Sequence, residues 1–134
     1  MDNGPSSVVA RFYAIRKEYP MNLLTLLRIV VVIATFLTGL AALFWPRAIQ
    51  GFIGLTAPGG RGITEIRSIF GGLFIGLSLA ILLLNTPEVY KLLGITYGAI
   101  GTVRAISMVV DKSIEQSNVI SLIVEIIFAV ILVV

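Results

Sequence analysis

Four charged side chains interrupt stretches of sequence that are otherwise strongly apolar: Glu65, Arg67, Arg104 and Glu125. A charge within membrane hydrocarbon costs about 2.5 to 3.5 kcal/mol on insertion scales, so such groups pair with one another or face a cavity. One interpretation is a binding site for a proton, an ion or an anionic small molecule. The other is a satisfied polar network that fixes how the helices pack. Both interpretations stand at this point.

Several kinds of chemistry are excluded by residues that the chain lacks. It contains no cysteine, which rules out disulfides, thiol catalysis, Cys-ligated zinc and iron–sulfur clusters. It also contains no histidine, the commonest metal ligand and the acid/base most easily tuned near neutral pH. We therefore predict no metal, no cofactor and no enzymatic activity, with carboxylate chemistry at Glu65 and Glu125 as the enzymatic alternative.

The composition indicates a membrane rather than water as the main solvent. Of 134 residues, 57% are hydrophobic and 13% are charged, whereas soluble domains carry roughly 25% charged residues. The net charge is +3, from 10 Lys and Arg against 7 Asp and Glu. These basic residues flank the apolar stretches, where anionic lipid headgroups are the natural partner. We expect the lipid bilayer, and no nucleic acid, among the partners.

The apolar stretches predict an all-α membrane protein, a four-transmembrane-helix antiparallel bundle occupying residues 22–134. Its spans fall at about 23–45, 63–84, 87–111 and 114–134, since about 20 apolar residues cross a bilayer. Asn22 is predicted as an N-cap of the first span, and Ser113–Gln116 as a capping box before the last. The residue pattern of 1–21 predicts an amphipathic interfacial helix, with a mobile tail as the alternative.

Four crossings return both ends of the chain to one side, which we call the terminal side; the two longer connections lie on the opposite, loop side. Basic residues favour the terminal side as the cytoplasmic one. They are Arg11, Arg16, Lys17, Lys91 and Arg28 there, against Arg47, Arg61 and Lys112 on the loop side. We predict a multi-pass membrane protein with both termini cytoplasmic. Arg28, Arg47 and Arg61 are predicted to contact lipid headgroups.

Small residues recur along the middle two spans in patterns typical of close helix contact in lipid. In the second span they are Ser68, Gly72, Gly76 and Ala80, with Gly71 as a further packing position, and in the third Gly94, Gly98 and Gly101. Because the turn at Asn85 and Thr86 is short, the two spans are expected to be antiparallel neighbours whose small faces meet.

Antiparallel folding should also bring the intramembrane charges together on the loop side. Glu125 is expected about 16 Å deep, near the bilayer midplane, since a helix rises about 1.5 Å per residue. Arg104 is expected at roughly 10 Å, on the same side of the bilayer. We predict an Arg104–Glu125 ion pair, with Glu65 directed at a neighbouring helix and Arg67 directed away from it.

The stretch from Thr64 to Leu73, together with Arg104 and Glu125, resembles a family of small four-helix bacterial membrane proteins, domain of unknown function 4345, which is similar to the DoxX type. The resemblance covers the chain from about Leu24 onward and centres on an acidic-x-Arg-x-x-x-Gly-Gly pattern. It implies the four-helix fold and a polar signature made of Glu65, Arg67, Gly71, Gly72, Arg104 and Glu125. It also implies a location in the bacterial inner membrane, and it implies no substrate.

Two functions follow as expectations. The first is a non-enzymatic structural or accessory protein that packs, by its small-residue faces, within itself or against other subunits of a larger membrane assembly. The alternative is a small carrier or binding protein whose charged cluster holds a proton or an anionic molecule.

Overall fold

The computed structural model describes residues 22–134, which form an all-α fold with four long helices. These are α1 (Leu23–Phe44), α3 (Gly59–Leu84), α4 (Pro87–Val110) and α5 (Gln116–Val133), with a short α2 (Pro46–Ile53) after α1. Each long helix has the length and composition to cross a membrane. The predicted fold class is therefore confirmed, and the chain is a multi-pass membrane protein. The predicted amphipathic segment 1–21 lies outside the described residues.

The helix ends agree with the sequence in some places and differ in others. The Oδ1 atom of Asn22 accepts hydrogen bonds from the backbone N and the hydroxyl of Thr25, both at 2.8 Å, so the predicted cap is confirmed. The predicted capping box before the last span is wrong, because α5 begins after Glu115 and has no side-chain cap. The second span also begins earlier than predicted, at Gly59, since the glycines that follow Pro58 form its first turn.

A π-helical segment (Ile66–Gly72) lies within α3 and sets which residues face α1. A π turn spans more residues than an α turn, because its hydrogen bonds run from i to i+5. Accordingly, Ile66 and Gly71 are buried five positions apart, whereas Ser78 is buried in the α-helical part. The face of α3 thus cannot be traced with one α-helical period.

The helices α1 and α3 pack closely through two glycines. A Cβ atom added at Gly39 would lie 2.9 Å from the backbone N of Ile75, and one at Gly71 would lie 3.2 Å from the backbone N of Leu43. Absent side chains at these positions let the two backbones approach. Gly71 is therefore a packing residue as predicted.

The predicted small-residue stripe of the second span is placed differently from our expectation. Ser68, Gly72 and Gly76 are exposed, and a Cβ atom at Gly76 would meet nothing within 4 Å. Ala80, the last member, is half-buried. The prediction that this face packs against the third span is wrong, because the π segment turns Gly71 rather than Gly72 towards α1, and α3 packs chiefly on α1.

The predicted glycine seam of the third span does pack, but its partner is α5. A Cβ atom at Gly94 would lie 2.9 Å from Leu132 Cβ, and one at Gly98 would lie 3.9 Å from Ala129 Cβ. The bundle thus consists of two tightly packed pairs, α1 with α3 and α4 with α5.

The two pairs are joined mainly on the terminal side. The residues of the central apolar cluster lie in the terminal-side halves of their helices, and they are Val31, Val32, Ile81, Leu93, Tyr97 and Leu132. Nearer the loop side, the buried positions Gly71 and Gly101 each pack within their own pair. The loop-side half of the bundle therefore depends on contacts inside each pair.

Candidate intramembrane polar site

Arg104 and Glu125 form a bidentate ion pair between α4 and α5. The Nε atom of Arg104 donates to Oε2 of Glu125 at 2.9 Å and to Oε1 at 3.0 Å, while Nη2 donates to Oε1 at 2.6 Å. The planar guanidinium fork matches the two carboxylate oxygens, which is the strongest geometry available to such a pair. The ion pair that the sequence predicted is confirmed.

The pair lies deep along both helices. Glu125 follows the start of α5 at Gln116 by about 14 Å, and Arg104 precedes the end of α4 at Val110 by about 9 Å, at about 1.5 Å per residue. Against a hydrocarbon core of about 30 Å, this places the carboxylate close to the bilayer midplane. The short Glu125 side chain cannot reach water from there, so its charge depends on Arg104.

Asn118 extends the pair into a network that ends on the backbone. Its Oδ1 atom accepts a hydrogen bond from Nη1 of Arg104 at 3.2 Å, and its Nδ2 atom donates to the carbonyl oxygen of Ser113 at 2.9 Å. Asn118 precedes Glu125 by two helical turns and shares its face. That spacing predicts that Asn118 faces the bundle, but not that it bridges Arg104 to the connection before α5.

A glycine makes room for the carboxylate. Gly101 lies on the same face of α4 as Arg104, and a Cβ atom added there would stand 3.5 Å from Cβ and 3.7 Å from Oε2 of Glu125. The close approach of α4 to α5 therefore lets a two-methylene side chain reach the guanidinium. The same glycine seam that packs the helices thus positions the ion pair.

Glu65 and Arg67 do not join this network. Both side chains are exposed, and the only ion pair within the described part of the chain is that of Arg104 with Glu125. The prediction that all four charges converge is wrong. The prediction that Glu65 faces a neighbouring helix and Arg67 does not is also wrong, since Arg67 is the one that lies beside Leu43 and Phe44 of α1. The four charges stay apart because α3 pairs with α1, which carries the loop-side half of α3 away from α4 and α5.

The three arginines predicted at lipid headgroups have different surroundings. Arg28 is half-buried: its Nε atom donates to the carbonyl oxygen of Ile131 at 3.4 Å, and its guanidinium carbon lies 5.7 Å from the centroid of the Tyr90 ring. It therefore ties α1 to α4 and α5. Arg47 and Arg61 are exposed at the loop-side ends of their helices, and their contact with headgroups remains a prediction.

A second buried polar contact joins the two helix pairs, and sequence reasoning missed it. The hydroxyl groups of Thr35 and Tyr97 lie 2.7 Å apart, and that of Thr35 also donates to the carbonyl oxygen of Val31. The Tyr97 ring meets Phe128 edge-on, with centroids 5.2 Å apart. A lone Thr and a lone Tyr in apolar runs carry no spacing signal that pairs them.

Within the network, Glu125 is buried, whereas Arg104 is partly exposed. The Glu125 side chain is 9% exposed and that of Arg104 is 31% exposed. An arginine has five N–H donors, and those of Arg104 at Nε, Nη1 and Nη2 engage Glu125 and Asn118. The remaining donors can meet an anion or water. Among residues 22–134, no cluster of acidic side chains could hold a metal ion.

These features define a class: a four-helix integral membrane protein whose second helix pair is clamped by an intramembrane ion pair. Beyond that class, no protein-family model, curated protein or solved structure matches the chain. The resemblance to domain of unknown function 4345 therefore stays a prediction.

Proposed function

We propose that this protein is a non-enzymatic accessory subunit of a larger membrane assembly, and that it contacts its neighbours through the outward surface of α3. The observation that carries this proposal is the exposure of Ser68, Gly72 and Gly76, which recur at four-residue intervals without a partner helix among residues 22–134. In lipid, helices associate where small residues let their backbones approach.

The inner network supports the same function. All buried polar side-chain atoms in the described residues have hydrogen-bond partners. The Arg104–Glu125 pair holds α4 and α5 in one arrangement, which suits a scaffold. The surface of α3 is left for another chain.

The experiment compares the native assembly of the wild-type protein with that of Gly76→Leu, after extraction into lipid nanodiscs without detergent. Because a Cβ atom at Gly76 meets nothing within 4 Å, the variant should fold normally, while the larger side chain blocks close approach of a partner helix. Ala99→Leu, at an exposed position of α4, is the matched control.

We expect the wild type and Ala99→Leu to run as an assembly larger than one 14.4 kDa chain, and Gly76→Leu to run mainly as the single chain. A wild-type protein found alone in its native lipid would contradict the accessory role. An assembly unchanged by Gly76→Leu would show that the contact lies on a surface other than that of α3.

A second candidate function is binding of an anionic small molecule or a proton at Arg104 and Glu125, favoured by the 31% exposure of the Arg104 side chain. It predicts proton or anion flux in reconstituted vesicles that disappears in the double variant Arg104→Ala and Glu125→Ala. The control is Arg61→Ala, which removes one exposed charge from the same side. Flux that survives the double variant would eliminate this site.

The location that we propose is the bacterial inner membrane, with the terminal side in the cytoplasm. The excess of Lys and Arg on that side supports it. A reporter that is active only in the cytoplasm, fused after Val134, should be active in cells. Activity of a reporter that works only outside the cytoplasm would reverse the orientation.

A further inference from the structure

A shallow hollow on the loop side of the first helix pair is lined by Arg67 of α3 and by Leu43 and Phe44 of α1. Arg67 stands beside α1 because it lies one turn before Gly71, whose missing side chain lets α3 approach Leu43. The hollow thus combines an exposed guanidinium with two apolar walls. No part of the Arg104 network reaches it, so it is a separate feature of the molecule.

The depth of the hollow matches the boundary between hydrocarbon and headgroups. Phe44 lies about 32 Å along α1 from Leu23, and Arg67 lies about 25 Å along α3 from Leu84, at about 1.5 Å per residue. Measured from the terminal side across a hydrocarbon core of about 30 Å, Phe44 reaches the loop-side edge. The Arg67 backbone lies about 5 Å inside that edge, from where the long arginine side chain reaches the headgroups. The phosphates of the loop-side leaflet lie at this level.

Two further observations favour a ligand at this place. Arg67 belongs to the seven-residue π segment. Such π-helical turns are rare in proteins as a whole, but many of those that occur lie at functional sites. Its charge also has no acidic partner among residues 22–134. An exposed cation at the edge of hydrocarbon is complemented by an anionic headgroup, and a guanidinium binds phosphate oxygens in a bidentate manner.

We propose that the hollow of Arg67, Leu43 and Phe44 binds the headgroup phosphate of an anionic phospholipid from the loop-side leaflet. The guanidinium holds the phosphate, while Leu43 and Phe44 contact the glycerol and the first methylenes of the acyl chains. A lipid fits better than a soluble anion because, among residues 22–134, the hollow is lined by two apolar side chains beside one charged one.

The protein carries its own probe for this site. Trp45 is the only tryptophan of the chain, it adjoins Phe44 in the sequence, and its ring lies edge-on to the Phe44 ring with centroids 5.9 Å apart. Phospholipids with brominated acyl chains quench tryptophan fluorescence on contact. Quenching of Trp45 by brominated phosphatidylglycerol, compared with brominated phosphatidylcholine, therefore measures the preference of this region for anionic lipid.

The full chain is reconstituted in vesicles that mix the two lipids, each brominated in turn. We expect the wild type to prefer phosphatidylglycerol by about fivefold, the factor expected for one basic residue at an anionic surface. Arg67→Gln should lower the preference towards one. Arg67→Lys should keep only part of it, because an ammonium lacks the guanidinium fork. Since the Arg67 side chain is exposed, these variants should keep the helical circular dichroism of the wild type.

The matched control is Arg47→Gln, which removes an exposed charge two positions from Trp45 and outside the hollow. Retention of the preference in this variant supports the site. Equal losses in Arg47→Gln and Arg67→Gln would show general attraction to a basic surface and overturn the proposal, as would a wild-type preference near one. Displacement of the lipid by millimolar glycerol phosphate would assign the hollow to a soluble anion and likewise overturn it.

Discussion

The ion pair offers the sharpest test of the structure, through the substitution Glu125→Gln. Glutamine keeps the shape of the side chain but removes its charge and turns an NH2 group towards the donors of Arg104. Removing one partner of a buried ion pair costs about 3 to 5 kcal/mol, because the other charge stays buried and uncompensated. Arg104 is 31% exposed and regains part of its solvation, so we expect a loss of about 2 to 3 kcal/mol in unfolding free energy.

The assay is reversible unfolding of the purified protein in mixed micelles, followed by circular dichroism as the fraction of sodium dodecyl sulfate rises. A double-mutant cycle with Arg104→Gln isolates the pair from the separate effects of each substitution. We expect a coupling energy of at least about 1 kcal/mol, since contacting charges in one network are strongly non-additive. Lower thermal stability of Glu125→Gln in detergent should accompany it.

An apolar replacement separates the cost of a lone charge from the value of the pair. The double variant Arg104→Met and Glu125→Leu should unfold close to the wild type, because exchanging a whole buried pair for packed apolar groups is often neutral or stabilising. An unfolding free energy of Glu125→Gln within about 0.5 kcal/mol of the wild type would refute the buried pair, as would additivity of the two glutamine substitutions within that limit.

Three further predictions concern the packing and the other polar contacts. Gly39→Ala should destabilise the protein by about 1 to 3 kcal/mol through overpacking, since its Cβ atom would lie 2.9 Å from Ile75. The control Gly76→Ala, whose Cβ atom would meet nothing within 4 Å, should not destabilise the protein in the same micelle titration. Asn118→Leu removes the hydrogen bond from Nη1 of Arg104 and should cost about 1 kcal/mol; equal stability of variant and wild type would contradict the bridging role. Tyr97→Phe should lower the unfolding free energy by only about 0.6 kcal/mol, the average for hydrogen bonds between membrane helices, because Thr35 keeps its bond to a backbone carbonyl.

The sequence predicts the spans well because the requirement behind them is simple. A helix must satisfy its backbone in hydrocarbon and must be about 20 apolar residues long, and both conditions are readable from composition alone. Asn22 could be predicted as a cap for a similarly local reason, since its side chain bonds three residues ahead. The early start of α3 at Gly59 could not be predicted, because a glycine-rich turn and a glycine-rich first helical turn have the same composition.

The packing partners were harder to predict. The interval of four between Ser68, Gly72 and Gly76 indicates a continuous face only if the helix is α throughout, and the π segment (Ile66–Gly72) breaks that assumption. The short turn at Asn85 makes α3 and α4 adjacent in sequence, yet each packs mainly on another helix. Nothing local in the sequence distinguishes these pairings, since small residues on any face suit close contact in lipid.

Charge constrains membrane packing more strongly than residue size. For that reason the charges of this chain predicted a helix contact correctly, whereas the small-residue stripe of α3 did not. An exposed small-residue stripe costs little in lipid, because acyl chains cover Gly76 as readily as they cover leucine, so the stripe can face outward. A carboxylate near the midplane has no comparable freedom: it needs a cation at its own depth, and after antiparallel folding Arg104 is the residue that meets Glu125 there. The ion pair therefore constrains the register of α4 against α5, and the glycine seam lets the two helices approach closely enough to form the pair.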